Sequence, residues 1–158
     1  MIIDEAHDSI PFKGNVDLAK LESVIERVGA HNIPYVNVGV TVNMAGGRPV
    51  SMENLRDTRS LLRHHGIRMW CDATRAVENA FFIQERQPGY ANKPVRAILK
   101  EMMSHFDGCT MSAKKDCLVN IGGFLAGNDD SILQSAREQV VIFEGCRRTA
   151  ASPAATWM

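Results

Sequence analysis

Between Pro34 and Val42 the chain reads PYVNVGVTV, nearly all apolar, with Asn37 as the one break. A strand that tolerates apolar residues on both faces is covered on both faces, the condition of a parallel strand flanked by helices. A second run, Ile67 to Cys71, has the same character and delivers Asp72. A third region, FDGCTMSA followed by CLVNIGGFLA, reads as two buried strands joined by a turn that carries Lys114 and Lys115. Parallel strands need crossovers, and the stretches between these runs have helical spacing.

Asp17 opens a helix with Leu18, Leu21, Val24, Ile25 and Val28 on one stripe, and Gly29 ends it. Ser51 caps the next helix, in which Leu55, Leu61 and Leu62 are apolar and His64, His65 and Gly66 close the end. Paired histidines at a helix end interact with its dipole more readily than with a metal. Arg75 to Gln87 is helical, with Val77, Ala80, Phe81 and Phe82 expected inward. Pro94 starts another helix, whose Met102 and Met103 read as core filler. A last helix runs from about Asp129 to Ile142. With Met1 to Asp4 as a strand, the order is β-α-β-α-β-α-α-β-β-α. That is an α/β fold, a mostly parallel sheet with flanking helices.

Several classes are excluded. The 18 basic and 18 acidic residues cancel, which argues against nucleic acid or an anionic membrane recognised by bulk charge. No apolar run approaches the roughly 18 residues that span a bilayer, and no signal peptide opens the chain. The four cysteines, Cys71, Cys109, Cys117 and Cys146, show no CxxC spacing. Reduced thiols in a cytoplasmic protein are expected. MIIDEAHD at the start imitates a helicase nucleotide motif, but the phosphate loop that motif requires is missing from the sequence.

The chemistry lies at the strand ends. Asn43 follows the first long strand, Asp72 and Arg75 the second, and Ser112, Lys114 and Lys115 the third. Ligands of open α/β sheets bind beyond the carboxyl ends of the strands. A carboxylate for a pyridine nitrogen, a donor for a ring oxygen, a hydroxyl for a phosphate and a lysine for an aldehyde match pyridoxal 5'-phosphate. A solvated turn between two strands is the competing reading of the lysines.

The strings PFKGNVDL, TVNMAGG, PVSMENLR, DATRAVENAFFI and DGCTMSAKKDCLVNIGGFL resemble the β-eliminating lyases of aminotransferase-like fold, most nearly the tyrosine phenol-lyase family. The related tryptophan indole-lyase family shares PFKGN, SAKKD and the Asn/Asp/Arg/Lys set, and remains the alternative. The resemblance runs to Gly145. It implies part of the large cofactor-binding domain of a fold type I enzyme, cytoplasmic and homotetrameric at full length. It implies Lys115 as the Schiff-base lysine and general base, with Lys114 tuning charge beside it. Ser112 would hold the phosphate, Asp72 the pyridine nitrogen, and Arg75 and Asn43 the ring oxygen. Asn120 would give a carbonyl to potassium. The implied reaction is β-elimination of L-tyrosine, an amino-acid substrate, to phenol, pyruvate and ammonia. Family chains are longer on both sides, so this one is expected to be a fragment without measurable cleavage. A non-catalytic remnant is the other class of reading.

From Cys146 the tail CRRTAASPAATWM abandons the earlier pattern. Back-translated with free third bases and one added A, it reads MPTYGGLAGRDMD. After Glu144 and Gly145 that string resembles the family's continuation. The expectation is a one-base deletion at the Gly145/Cys146 junction. Residues 1–145 are then a partial cofactor-binding domain, and 146–158 an out-of-frame, poorly ordered tail.

Overall fold

A computed structural model describes residues 10–41 and 46–144. The expected strand at Met1 to Asp4, Asn43 and the tail 146–158 lie outside the described residues. The chain divides into two compact units, Met1–Asn128 and Asp129–Met158.

In the first unit, α1 (Leu18–Val28) leads through a short 3-10 turn to β1 (Tyr35–Gly39). Then follow α2 (Met52–His64), β2 (Arg68–Asp72), α3 (Ala76–Arg86), α4 (Val95–Met103), β3 (Gly108–Ser112) and β4 (Gly123–Gly127). The four strands form one sheet in the order β1-β2-β3-β4. β1, β2 and β3 are parallel, and β4 runs antiparallel to β3. The expected α/β pattern is present across the described residues.

Local chemistry sets the helix limits. The Asp17 carboxylate accepts from the Lys20 amide at the start of α1, and Gly29 ends it with φ of 84°. The Ser51 hydroxyl accepts from the Asn54 amide at the start of α2. The core gathers Leu55 and Leu62 from α2, Met69 and Cys71 from one face of β2, Ile83 from α3, and Ile98 and Met102 from α4. Met102 is fully buried, as core filler should be.

Three local expectations are corrected. β1 spans only Tyr35–Gly39, and the face that carries Tyr35 and Asn37 is exposed despite the apolar run. The segment after the lysines is not a buried strand. β4 starts at Gly123, is largely exposed, and leaves Leu118 and Ile121 in a loop at 88% and 87% exposure. The inward face of α3 is Ala76, Asn79, Ala80 and Ile83, while Val77 and Phe81 are exposed. A buried asparagine sets that face, so apolar spacing misjudged its phase.

The PFKGN and PVSMENLR strings are a clasp. Gly14 donates to the Pro49 carbonyl at 3.0 Å. A Cβ at Gly14 would stand 2.4 Å from the Arg48 oxygen, so no other residue permits this approach. Asn15 Oδ1 accepts from Ser51, and the Asn54 amide bonds both N–H and C=O of Val16.

Away from the strand ends, Glu101 on α4 gathers Arg56, Tyr90 and Lys93. Arg56 and the Tyr90 hydroxyl donate to Oε1, the latter at 2.7 Å, and Lys93 donates to Oε2 at 3.1 Å. Burial pushes the Glu101 carboxyl up, but the three donors outweigh it and hold the group at about 2. A depressed carboxyl stabilises the fold above its unfolded value, near 4.5. That contribution disappears as pH falls through about 2. Glu101→Gln is therefore expected to lose about 1–2 kcal/mol at pH 7, a figure reduced for solvent screening, and almost nothing at pH 2. Urea titrations at both pH values check it; an equal loss at both would refute the charge-based account.

In the second unit, α5 (Asp130–Glu144) begins at Asp129, whose Oδ1 accepts from the Ser131 amide and hydroxyl at 3.0 and 2.6 Å. Val141, Ile142 and Phe143 are exposed.

Candidate functional site

The parallel strands bring their carboxyl ends to one edge. Asp72 pairs in register with Gly39 on one side and Thr110 on the other, so it stands at the middle of that edge. The turn behind it is stitched to both neighbours. Ala73 donates to the Thr110 carbonyl at 2.7 Å, Val40 donates to the Asp72 carbonyl at 3.1 Å, and Arg75 donates to the Val40 carbonyl at 3.2 Å. With its backbone held on both sides, the Asp72 side chain has a defined origin.

Thr74 then orients the carboxylate. Its hydroxyl donates to Asp72 Oδ1 at 2.6 Å, and its amide donates to the same oxygen at 3.2 Å. The Ser112 amide donates to the Thr74 hydroxyl at 3.3 Å. One threonine thus joins the acidic end of β2 to the last residue of the lysine strand. The Asp-Ala-Thr spacing is a local turn signature and was the signal available for it.

The lysine loop is tied from the other direction. Asp116 Oδ2 accepts from the Val77 amide at 2.7 Å and more weakly from the Glu78 amide at 3.4 Å. These are first-turn groups of α3, whose N-cap, Arg75, makes no side-chain capping bond. Asp116 directly follows Lys115 in the chain. No local pattern reveals a cap that arrives from a distant segment.

The structure therefore brings Asp72, Thr74, Arg75, Ser112 and the Lys114–Lys115 loop to one end of the sheet. Both lysines are exposed here, as in the reading of a solvated turn. Asn120 is exposed in the loop before β4. Arg75 Nε stands 3.7 Å from Glu78 Oε2. It also lines a cleft of about 490 Å³ with Gly47, Arg48, Phe82 and Arg86. Cys71 and Cys109 are buried and face each other in register behind the edge. Burial, then neighbouring Cys109 and Asp72, push the Cys71 thiol well up, so it stays protonated and inert. Cys117 is exposed rather than buried in a strand. Among the described residues no group of three His, Cys, Asp or Glu side chains could hold a metal ion. No described helix is long and apolar enough to cross a membrane.

A mostly parallel sheet thus carries a carboxylate, an arginine and a lysine loop at its carboxyl edge, in an α/β fold. Solved structures agree in fold. A putative aromatic amino acid β-eliminating lyase/threonine aldolase from Exiguobacterium superposes with a TM-score of 0.54 at 22% identity, covering 70% of this chain and 28% of that one. A putative L-allo-threonine aldolase from Listeria monocytogenes gives 0.56 at 24% identity, covering 70% and 27%.

The family model for β-eliminating lyases matches residues 2–158, and the chain belongs to that family. It is 74% identical over 148 residues to the tyrosine phenol-lyase of Symbiobacterium thermophilum, covering 92% of this chain and 32% of that protein. The tyrosine phenol-lyases of Intrasporangium calvum and Pasteurella multocida are 63% and 61% identical over the same length. The chain spans about a third of the length of these curated relatives. Family membership implies pyridoxal phosphate as the cofactor.

Proposed function

We propose that this chain is the central part of the cofactor-binding domain of a tyrosine phenol-lyase, which cleaves L-tyrosine to phenol, pyruvate and ammonia. The observation that carries it is the Thr74 bridge, which holds the Asp72 carboxylate at the sheet edge and ties it to Ser112. The relatives are phenol-lyases, which favours this over an indole-lyase.

The donor set fits the cofactor. Asp72, held by two bonds from Thr74, is read as the acceptor for a protonated ring nitrogen. Ser112 is read as the phosphate donor, and Arg75 with Asn43 as the groups meeting the ring oxygen. Lys115 Nζ would be the amine that holds the cofactor's aldehyde, and would take the proton from the substrate Cα. Lys114 is its neighbour in the chain. The bound cofactor supplies a pyridinium ring that stabilises negative charge at Cα. An Asn120 carbonyl is read as a potassium ligand, and the full-length protein as a cytoplasmic homotetramer.

The reading of 1–145 as partial domain and 146–158 as out-of-frame tail stands with this proposal. The 92% coverage by relatives supports it, whereas the family-model match continues to residue 158. Gene sequencing decides it: without a restorable base after the Gly145 codon, the frameshift fails.

The experiment for the site is reductive labelling. The chain is incubated with pyridoxal phosphate, reduced with borohydride and mapped by peptide. Label is expected on Lys115, with at least about a tenfold loss in Lys115→Ala and retention in Lys114→Ala. Label on Lys114 instead overturns the assignment.

A further inference from the structure

We propose that Asp116 is a positioning residue, a latch that fixes the lysine loop against α3 and thereby sets where Lys115 meets the Asp72–Arg75 turn. The relevance to the cofactor rests on the function proposed above; the latch itself does not.

The first turn of a helix presents N–H groups without intrahelical partners, at the positive end of the dipole. In α3 these groups are not served by their own N-cap, because Arg75 makes no side-chain capping bond. The Asp116 carboxylate reaches Val77 and Glu78 from 39 and 38 residues away in the chain. The 2.7 Å bond to the Val77 amide lies at the short end of the range for backbone N–H donors.

The loop needs such a tie. Its backbone bonds are internal: Leu118 to the Lys115 carbonyl at 3.0 Å, Val119 to Ala113 at 3.3 Å, and Ala113 to Gly122 at 3.0 Å. Leu118 and Ile121 project into solvent, so little apolar burial holds it. Asp116 is the immediate neighbour of Lys115, and Val77 lies two residues beyond Arg75. The latch therefore places the Lys115 and Arg75 backbones on the order of 10 Å apart. It also ties the loop to the same turn that Thr74 joins to Ser112, so acid, arginine and lysine share one frame.

The test compares the chain with Asp116→Ala and Asp116→Asn, whose amide oxygen still accepts from N–H groups. The first readout is amide hydrogen exchange, which needs no cofactor. In Asp116→Ala, exchange at Val77 and Glu78, and also at Leu118 and Val119, should rise about tenfold, while Asp116→Asn stays within about threefold of the parent. The second readout is reductive labelling with pyridoxal phosphate. The parent and Asp116→Asn should label Lys115, whereas Asp116→Ala should divide label between Lys114 and Lys115. If exchange rises only at Val77 and Glu78, Asp116 is a plain helix cap and the latch is overturned. Unchanged label selectivity in Asp116→Ala overturns the positioning role. Absence of label on the parent sinks the proposed cofactor reading, and the exchange data still judge the latch. Should Asp116→Ala fail to fold, Asp116→Ser, whose acceptor is too short to serve both amides, gives the same two readouts.

Discussion

Asp107→Ala is expected to destabilise the first unit by about 2–4 kcal/mol, because it breaks a bidentate pair and strands a backbone amide together. Arg59 from α2 donates through Nη1 to Oδ2 and through Nη2 to Oδ1 of Asp107, the second at 2.6 Å. The Met69 amide of β2 also donates to Oδ2 at 2.8 Å. The backbone of Asp107 joins the same frame, donating to the Met69 carbonyl at 2.9 Å and accepting from Asn128 at 3.0 Å. One residue thus ties α2, β2, β3 and the end of β4. The Arg59 side chain is 15% exposed, so its charge would be left without a partner in a largely dry place. Burial pushes the Asp107 carboxyl up, yet the Arg59 and Met69 bonds overcome this and hold it below its ordinary value. Its contribution is therefore present at neutral pH and fades on acidification. Asp107→Asn, which keeps an acceptor for Met69, should lose less than alanine does. Urea unfolding at pH 7 measures both. A loss under about 0.5 kcal/mol for alanine would show that the pair is only a surface contact. Asp107 precedes β3, at the end of the sheet away from Ser112, so Lys115 labelling should persist wherever the variant remains folded.

Asn79→Leu should cost a comparable 2–4 kcal/mol, although the side chains are similar in size. Asn79 is fully buried on α3. Its Nδ2 donates to the Val50 carbonyl at 3.0 Å and its Oδ1 accepts from the Val50 amide at 2.9 Å. Val50 is itself fully buried, so leucine would leave both of its backbone groups without partners in the interior. Hydrophobic transfer favours leucine over asparagine, but two buried orphan groups outweigh it at about 1–3 kcal/mol each. Thermal unfolding should begin roughly 5–15 °C lower. A variant as stable as the parent would mean that water or backbone movement satisfies Val50.

Much of this architecture is local in origin and was legible in the chain. Asp17, Gly29 and Ser51 mark helix limits because their side chains or backbone freedom act within a few residues. The β2 run reads as a central strand because Met69, Trp70 and Cys71 must be covered on both faces. Asp72, Arg75, Ser112 and the lysines could be placed at one sheet edge from strand order alone, since parallel strands put their carboxyl ends together.

What tertiary structure decided depends on partners far apart in sequence. The run at Pro34 to Val42 signalled coverage on both faces, but one face of β1 is exposed, because coverage depends on which distant segments pack there. The apolar CLVNIGG segment looked like a strand, yet only the antiparallel register with β3 sets the start of β4 at Gly123. The phase of α3 follows from Asn79 meeting Val50, and its first turn is served by Asp116 from 39 residues away. Periodicity records whether a side chain is apolar, whereas a buried polar group is specified by the one distant partner that satisfies it. The sequence by itself determined the elements and the chemical groups at their ends. The fold decided which polar groups answer one another, because hydrogen-bond partners are set by positions in space.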